Sequence, residues 1–463
     1  MITFTPLENL EILLPFIDKA TMRLADETLG TRAIWGQYST TEYAIFNNTL
    51  LLKETFIKGG TYFRFPIGED VNGALLELEN YTIENYFPLR FVGVSDEYVK
   101  YLQDRYLQVT SAFNRDYSDY IYNAQNFLGY KGKALSGQRN HLNKFKKLYP
   151  NYTTEILTKD NIEIAKDFLK EMQKSAENKS GTAKDEYKTI FNFMDNMFKL
   201  KNFGLMLKVD EKVIGLAVGE IVGDTLYEHI EKADKSFNGA YPTLASLFAS
   251  TFVTENVLYI NREDDSGDLG LRTSKTQYKP LEIRNKNVVK VKTLFDKIPN
   301  DFQIETERLT LSPIKECDKV EYAMLNLDEK LNKFWGYDYR EDLGENPTVD
   351  DFYNFQNFMK ERKEEFPIAV KLNGKMVGEL PLHHFDYNGG IEIGFRFFSD
   401  CQGKGYAFES ANALINFVKE KTDAKYIKSR CNKQNLPSKK LITKLGLTII
   451  KEDDTHYYFR KDL

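Results

Sequence analysis

Gly390-Ile391-Glu392-Ile393-Gly394-Phe395-Arg396-Phe397-Phe398-Ser399-Asp400-Cys401-Gln402-Gly403-Lys404-Gly405-Tyr406-Ala407 runs from an alternating β pattern through a glycine-rich turn into a helical pattern. The helix is expected to reach about Thr422, with Ala413, Leu414 and Phe417 on its buried side. Strand, turn and helix N-terminus in series aim backbone N–H groups and the positive end of a helix dipole at one point, an anion site suited to a pyrophosphate. Gly403 and Gly405 let the main chain approach the anion closely. The spelling is neither the GxxxxGK[ST] of a Walker loop nor the GxGxxG of a parallel dinucleotide unit. Upstream, Phe366 to Lys371 and Lys375 to His384 flank Asn373-Gly374, a hairpin signal, and with Gly390 to Phe398 they predict an antiparallel meander feeding the loop.

Further back, Val288 to Phe295 is followed by Asp296-Lys297-Ile298-Pro299-Asn300-Asp301, a polar stretch whose proline interrupts pairing, so the main cut is placed near 298. Ile304-Glu305-Thr306-Glu307-Arg308-Leu309-Thr310-Leu311 then restarts as a half-buried strand, opening a domain at 303–463. Before the cut, helical stretches at 159–175 and 183–200 alternate with strands at Thr61 to Pro66, Arg90 to Val94, Phe203 to Lys208 and Lys212 to Ile221, the last two joined at Asp210-Glu211. The class is mixed α/β (α+β) throughout.

Composition narrows the function. The 463 residues predict two to four domains, and 42% hydrophobic with 28% charged residues is the balance of a globular chain. Lys and Arg number 63 against 68 Asp and Glu, a net charge of -5 that excludes a dominant basic field for nucleic acid while leaving room for a local basic patch. No apolar run approaches the roughly 20 residues that span a bilayer, and the opening Met1 to Pro6 has no signal-peptide pattern, so the expectation is a cytoplasmic protein without membrane insertion. Cys317, Cys401 and Cys431 are too few and too scattered for a disulfide framework or a Cys-x-x-Cys zinc site; they are read as reduced thiols, and no metal is assigned.

The C-terminal residues resemble the Gcn5-related N-acetyltransferase (GNAT) superfamily, in the branch that acetylates ribosomal-protein N-termini. The resemblance rests on Glu305-Thr306-Glu307-Arg308-Leu309, on Glu392-Ile393-Gly394-Phe395, on the Q/R-x-x-G-x-G/A pattern at Gln402, Gly405 and Ala407, and on Asn435 to Ser438. It implies acetyl-CoA as cosubstrate, with the pyrophosphate on the amides of Gln402, Gly403, Lys404, Gly405, Tyr406 and Ala407. The pantetheine would lie along Phe395 and Phe397, with Asn435 and Ser438 at the cofactor. A substrate amine, on a small molecule or a peptide N-terminus, would attack the thioester directly. Catalytic candidates are Glu392, His384 and Asn435; strand alternation puts one ring of His383-His384 toward the core and the other toward solvent. Each histidine also reads as an ordinary strand-end residue, Asn435 as a helix N-cap, and Cys401 as packing.

The first 295 residues resemble the cytosolic catalytic domain of phosphatidylglycerol lysyltransferases. The signature is carried by Asn261, Glu263, Asp265, Asp268, Gly270, Leu271, Arg272 and Lys275. The resemblance implies two fused acetyltransferase-like halves, 1–130 and 131–297, hence three GNAT-fold units in all, with central, mostly antiparallel mixed sheets flanked by helices. It also implies a pocket in the second half near Asp116, Arg139, Asn261, Glu263, Asp265, Arg272 and Lys275. The same acids and bases also read as a buried ion-pair network of Glu263, Asp264 and Asp265 with Arg272 and Lys275. A basic block at Lys131, Lys133, Arg139, Lys144, Lys146 and Lys147 would contact an aminoacyl-tRNA through phosphates, or is simply a solvated helix face. An aminoacyl-tRNA-dependent transferase, a second acyl-CoA or ligand-binding unit, and a catalytically silent binding protein therefore stay open; oligomeric state is not legible.

Overall fold

In a computed structural model, which describes residues 2–176 and 182–463, short strands and helices alternate and gather into four sheets. Contacts divide the chain into two units: Met1–Leu78 with Arg90–Leu102 and Ser111–Lys290, and Glu79–Leu89 with Gln103–Thr110 and Val291–Leu463. Mixed α/β architecture with mixed sheets flanked by helices holds in both.

The first unit carries two sheets. One runs Thr5–Pro6, Ser39–Phe46, Thr49–Phe56, Gly60–Phe63, Arg90–Val94, Asn287–Val291, Val109–Phe113, with Ile67–Gly68 beside Thr49–Phe56. The other runs Glu282–Arg284, Asp119–Asn123, Tyr259–Asn261, Thr225–Ala233, Lys212–Val222, Phe203–Val209, Tyr152–Ile156. The chain thus exchanges strands between its halves: Asp119–Asn123 joins the later sheet, and Asn287–Val291 returns to the earlier one. Asp119, Tyr120, Ile121 and Tyr122 are all buried, so this strand needs neighbours on both edges, and Tyr259–Asn261 and Glu282–Arg284 supply them. The turn Asp210-Glu211 adopts left-handed φ of 46° and 66°, as a tight hairpin requires. The helices Ile162–Ala176 and Thr182–Asn196 bury Ala165, Leu169, Ile190, Phe193 and Met194 at helical spacing. The second sheet packs on an aromatic core of Tyr120, Tyr122, Phe127, Tyr130, Phe145, Phe248 and Tyr278. Each such ring contributes on the order of 2 kcal/mol by leaving water.

The second unit also has two sheets: Ile304–Glu305, Leu309–Pro313, Ile368–Leu372, Lys375–Glu379, Arg396–Phe397, and Glu365–Phe366, Leu382–His383, Gly390–Ile393, Tyr426–Asn432, His456–Asp462, Thr448–Glu452. The Asn373-Gly374 hairpin forms with φ of 50° and 81°. The two strands expected at Lys375 to His384 and Gly390 to Phe398 each break and change sheet, because Pro381 brings no N–H to the ladder and Gly394 N bonds back to Pro381 O at 3.0 Å. The helix Tyr406–Lys421 buries Ser410, Ala411, Leu414, Ile415 and Val418. Ala413 and Phe417 flank that stripe instead of lying in it, Phe417 stacking on Phe302 at 4.5 Å. The core extends back to Leu294 and Phe295, ahead of the polar stretch read from the sequence, and takes Ile298 from within that stretch. The segments Glu79–Leu89 and Gln103–Thr110 are tied in by polar contacts: Glu79 accepts from Arg105 and from the Tyr106 hydroxyl at 2.8 and 2.9 Å, and the Tyr387 hydroxyl donates to Thr82 at 3.0 Å. Among the described residues no helix is long and apolar enough to cross a membrane.

Candidate functional site

In the second unit, parallel pairing of Gly390–Ile393 with Tyr426–Asn432 ends at Glu392 opposite Lys428, and Ser429 Oγ makes the last tie, to Ile393 O at 3.0 Å. Beyond it Arg396–Phe397 turns to pair with Lys375–Glu379, so the two parallel strands diverge and open a wedge in the main chain. The loop after the wedge contains a single 3-10 turn, Ser399–Cys401, and Gly403 and Gly405 at φ of 73° and 87°. Gly405 is the N-cap of Tyr406–Lys421, and no side chain caps that helix, so its first amides face out of the loop. Gln402 Nε2 donates to Phe397 O at 3.0 Å, tying loop to strand. Phe397 is buried and Phe395 half-buried. Burial and neighbouring Asp400 push the Cys401 thiol up, away from the thiolate a nucleophile would need.

Arg308 holds the loop from the side and was not singled out by role in the sequence. Its Nη1 donates to Lys404 O at 3.0 Å, its Nε and Nη2 bond Glu409 at 2.8 and 2.6 Å, and its guanidinium lies 4.8 Å from the Tyr406 ring centre. The signal was present, an arginine following Glu305-Thr306-Glu307 at the opening of a strand, but its partner lies 101 positions away. Asn435 caps Leu436–Lys444, accepting from Ser438 N at 3.2 Å.

Glu392 lies in this unit with both histidines of the pair. Alternation would send their rings to opposite faces; instead His384 adopts a left-handed φ of 44°, and both rings turn to the carboxylate's side. His384 Nδ1 lies 3.2 Å from Glu392 Oε2 and 2.9 Å from His383 Nδ1, while Arg430 Nε lies 3.5 Å from Glu392 Oε1. Tyr86 stacks on His384, its hydroxyl 3.4 Å from Nε2. Burial opposes the charge on Glu392, yet the histidines and Arg430 outweigh it and hold the carboxyl down at about 2. Burial pushes His383 down to about 4. Glu392 is therefore a standing anion at neutral pH, better suited to holding a cation than to taking a proton.

The first unit contains a cavity of about 2160 Å³, lined from both of its sheets. Of the seven pocket residues expected from the sequence, Glu263, Asp265 and Lys275 line it, Asn261 and Arg272 are hydrogen-bonded to lining residues, and Asp116 is bonded to Arg272. Asp265, fully buried, accepts from Arg272 at 2.7 and 2.9 Å and from the Tyr120 hydroxyl at 2.6 Å, and Arg272 reaches Asp116 at 2.6 Å. Asn261 bonds Asp119 and the Arg23 carbonyl, each at 2.9 Å. Lys275 donates to the carbonyls of Arg262 and Asp264, and burial pushes its amine down to about 8. Arg139 stands apart: it donates to the carbonyls of Tyr130 and Gly132 and braces that loop. The ion-pair reading is realised for Asp265 with Arg272, but Asp264 pairs with Lys286 at 3.3 Å and Glu263 with His229 at 2.8 Å.

Those partners were missed. His229 is fully buried between Glu220 (3.0 Å) and Glu263, and the two carboxylates raise it to about 9 against its burial. Gly30 permits this, since a Cβ there would sit 2.3 Å from the imidazole while its N–H donates to Glu220 at 2.6 Å. Lys286 is held by Asp26 at 2.7 Å and Asp119 at 2.8 Å, and Arg262 by Glu228 at 2.6 Å and by Glu231. A lone glutamate in the buried strand Lys212–Val222, and charges alternating through Tyr227-Glu228-His229-Ile230-Glu231, were the available signals.

Comparison with known proteins matches residues 19–289 to the model of the phosphatidylglycerol lysyltransferase C-terminal family and residues 308–448 to that of the acetyltransferase (GNAT) domain. The uncharacterized N-acetyltransferase YjdG of Bacillus subtilis is 32% identical over 155 residues, 32% of this chain and 89% of that protein. YnaD of the same organism, also an uncharacterized N-acetyltransferase, is 28% identical over 101 residues, 22% of this chain and 59% of that protein, so less than two thirds of YnaD is spanned. A solved conserved protein of unknown function from Bacteroides thetaiotaomicron is 27% identical, with a TM-score of 0.58, over 63% of this chain and 100% of that one.

Proposed function

The chain belongs to the phosphatidylglycerol lysyltransferase C-terminal family and carries a GNAT acetyltransferase domain behind it, and from that premise we propose that the second unit transfers acetyl from acetyl-CoA to a substrate amine. The observation that carries this reading is the wedge between diverging parallel strands, followed directly by a glycine loop and an uncapped helix N-terminus. The outward-facing amides of 403–407 hold the pyrophosphate, whereas the Gln402 N–H donates to Ser399 O at 3.4 Å. The main chain at 395–397 is placed for the pantetheine amides, which would extend the opened sheet as a strand does.

In the reaction the amine nitrogen bonds the acetyl carbon, the carbon–sulfur bond breaks, and coenzyme A leaves as thiolate. Starting from the ammonium, the nitrogen gives up two protons: one before attack, which makes it nucleophilic and passes to water, and one after the bond to the acetyl carbon forms, which ends on that thiolate. Glu392, ionised and half-buried, orients the incoming ammonium, and His384, hydrogen-bonded to it, takes the first proton in relay. Asn435 caps the helix beside Cys431 and Ser438 and acts by holding that end of the site in place. Thiol release from acetyl-CoA, screened across small amines and peptides with free N-termini, tests the reading. Glu392→Gln is expected to cut kcat about 100-fold with the KM for acetyl-CoA unchanged; unchanged turnover removes Glu392 from the site, and no acetyl-CoA binding by the wild type overturns the whole reading.

A second reading concerns the first unit. The cavity's size and its buried acids and bases favour a transferase pocket there, and Lys131, Lys133, Lys144, Lys146 and Lys147 are exposed on or beside the helix Ser136–Leu148. An aminoacyl-tRNA is the donor this supports. Mobility shift with charged tRNA at two salt concentrations tests it: a shift that weakens with salt and with Lys144→Glu plus Lys147→Glu is expected, and none at low salt refutes it.

A further inference from the structure

Adjacent residues of a strand ordinarily point to opposite faces, so two neighbouring histidines seldom share a target. In the second unit they do, because the left-handed backbone at His384 brings its ring to the side of His383. A non-glycine residue held in that region costs about 1 kcal/mol or more, and such strain persists only where surrounding structure enforces it. Here Lys428 Nζ donates to the His384 carbonyl at 3.2 Å, and Tyr86 lies against the ring's far nitrogen.

We propose that His383 Nδ1, His384 Nδ1 and Glu392 Oε2 form a three-ligand site for a divalent cation of the zinc class. One ring nitrogen of each histidine and one carboxylate oxygen of Glu392 lie within 4.8 Å of one another. Two of the separations, 2.9 and 3.2 Å, are close to the roughly 3.3 Å between ligand atoms about a tetrahedral ion with bonds near 2.0–2.1 Å. Two imidazoles and one carboxylate leave a fourth position open, the arrangement of an exchangeable site and not of a closed structural one. The nitrogen donors suit zinc, cobalt or nickel; magnesium and calcium want more oxygens than this corner offers. Arg430 makes its nearest contact with the other carboxylate oxygen, Oε1, while Oε2 faces His384 Nδ1, and sharing the carboxylate keeps affinity below that of a site with an unshared one. Tyr86 at His384 Nε2 is the outer contact that orients a ligating ring. A search for spaced cysteines passes over this site, since its ligands are the last residue of one strand, the residue just past that strand, and the residue directly across the ladder from the first.

Filling the site takes Glu392 and His384 out of amine handling, so the ion inhibits acetyl transfer; this consequence, unlike the binding itself, rests on the acetyltransferase reading. The experiment is zinc titration of the intact, tag-free protein in competition with a chromogenic chelator, with cobalt(II) absorption as the coordination signature. One equivalent is expected to bind, tetrahedral cobalt bands to appear, and both to weaken at least about tenfold in His383→Ala and in Glu392→Gln. Thermal melts check that each variant folds, and His384→Ala serves if either does not. No binding at about 100 μM zinc, or binding unchanged in these variants and so owed to the thiols, overturns the proposal. Calorimetry with acetyl-CoA in the presence of chelator separates the two readings. Acetyl-CoA binding without zinc binding removes the metal site alone; zinc binding without acetyl-CoA binding removes the acetyltransferase reading and leaves the metal site standing.

Discussion

The two units build their sites from opposite materials. Around the glycine loop of the second unit the candidate site is main chain, with Arg308 and Gln402 holding it in shape. Around the cavity of the first unit the wall is made of charged side chains, each answered by another from a distant part of the chain: His229 by Glu220 and Glu263, Lys286 by Asp26 and Asp119, Arg262 by Glu228 and Glu231. A main-chain site tolerates most side-chain changes but not an added Cβ. A side-chain network fails when one member is lost, because the partner is left buried and charged.

The largest effect expected from that contrast is in the network. Arg262→Met leaves buried Glu228 and half-buried Glu231 without their cation and is expected to cost about 3 kcal/mol, read as a drop in the midpoint of chemical denaturation. A cost near zero would show that the cavity wall is wet and its charges solvated. Next comes the loop. Gly405→Val places a branched side chain at a φ of 87°, with its Cβ 3.3 Å from Arg308 Nη2, and is expected to weaken acetyl-CoA binding about 100-fold while leaving the melting temperature nearly unchanged. Equal loss of both would mean that the loop is structural.

His229 sharpens the comparison through pH. Its folded value of about 9 stands above the ordinary 6.5, so the stability it contributes is complete below about pH 6.5 and is lost as pH rises through about 9. Melts of wild type and His229→Gln should differ most near pH 6 and converge toward pH 9.5; a constant difference means that the imidazole is held neutral. The smallest effect belongs to Arg308. Arg308→Lys keeps one contact to Glu409 but loses the fork that spans Glu409 and Lys404, and about fivefold weaker acetyl-CoA binding with unchanged kcat is expected. A fall in kcat instead would place Arg308 in the chemistry.

How much could be read in advance divides along the same line. The hairpins at Asp210-Glu211 and Asn373-Gly374, the strand Arg90–Val94 and the helix after Gly405 are local, and glycine, asparagine and hydrophobic period specify them within a few residues. The glycine loop is equally local, which is why its turn and the helix start behind it were legible as a group. The signature around Asn261 to Lys275 contributes Glu263, Asp265 and Lys275 to the cavity lining, but the pairings among its charges were only partly foreseen, and Arg139 braces a loop instead.

What the sequence determined by itself, then, is whatever a few consecutive residues can dictate: the mixed α/β class, the turns, the helix starts, and the glycine loop whose backbone geometry follows from its own side chains' absence. Tertiary structure alone decided which charges meet. The exchange of Asp119–Asn123 and Asn287–Val291 between the two sheets of the first unit, the seating of His229 against Gly30, and the convergence of His383 and His384 on Glu392 depend on elements far apart in the chain or on a strained φ. Burial makes each of those charges costly until its partner arrives, and nothing in the local sequence says where that partner comes from.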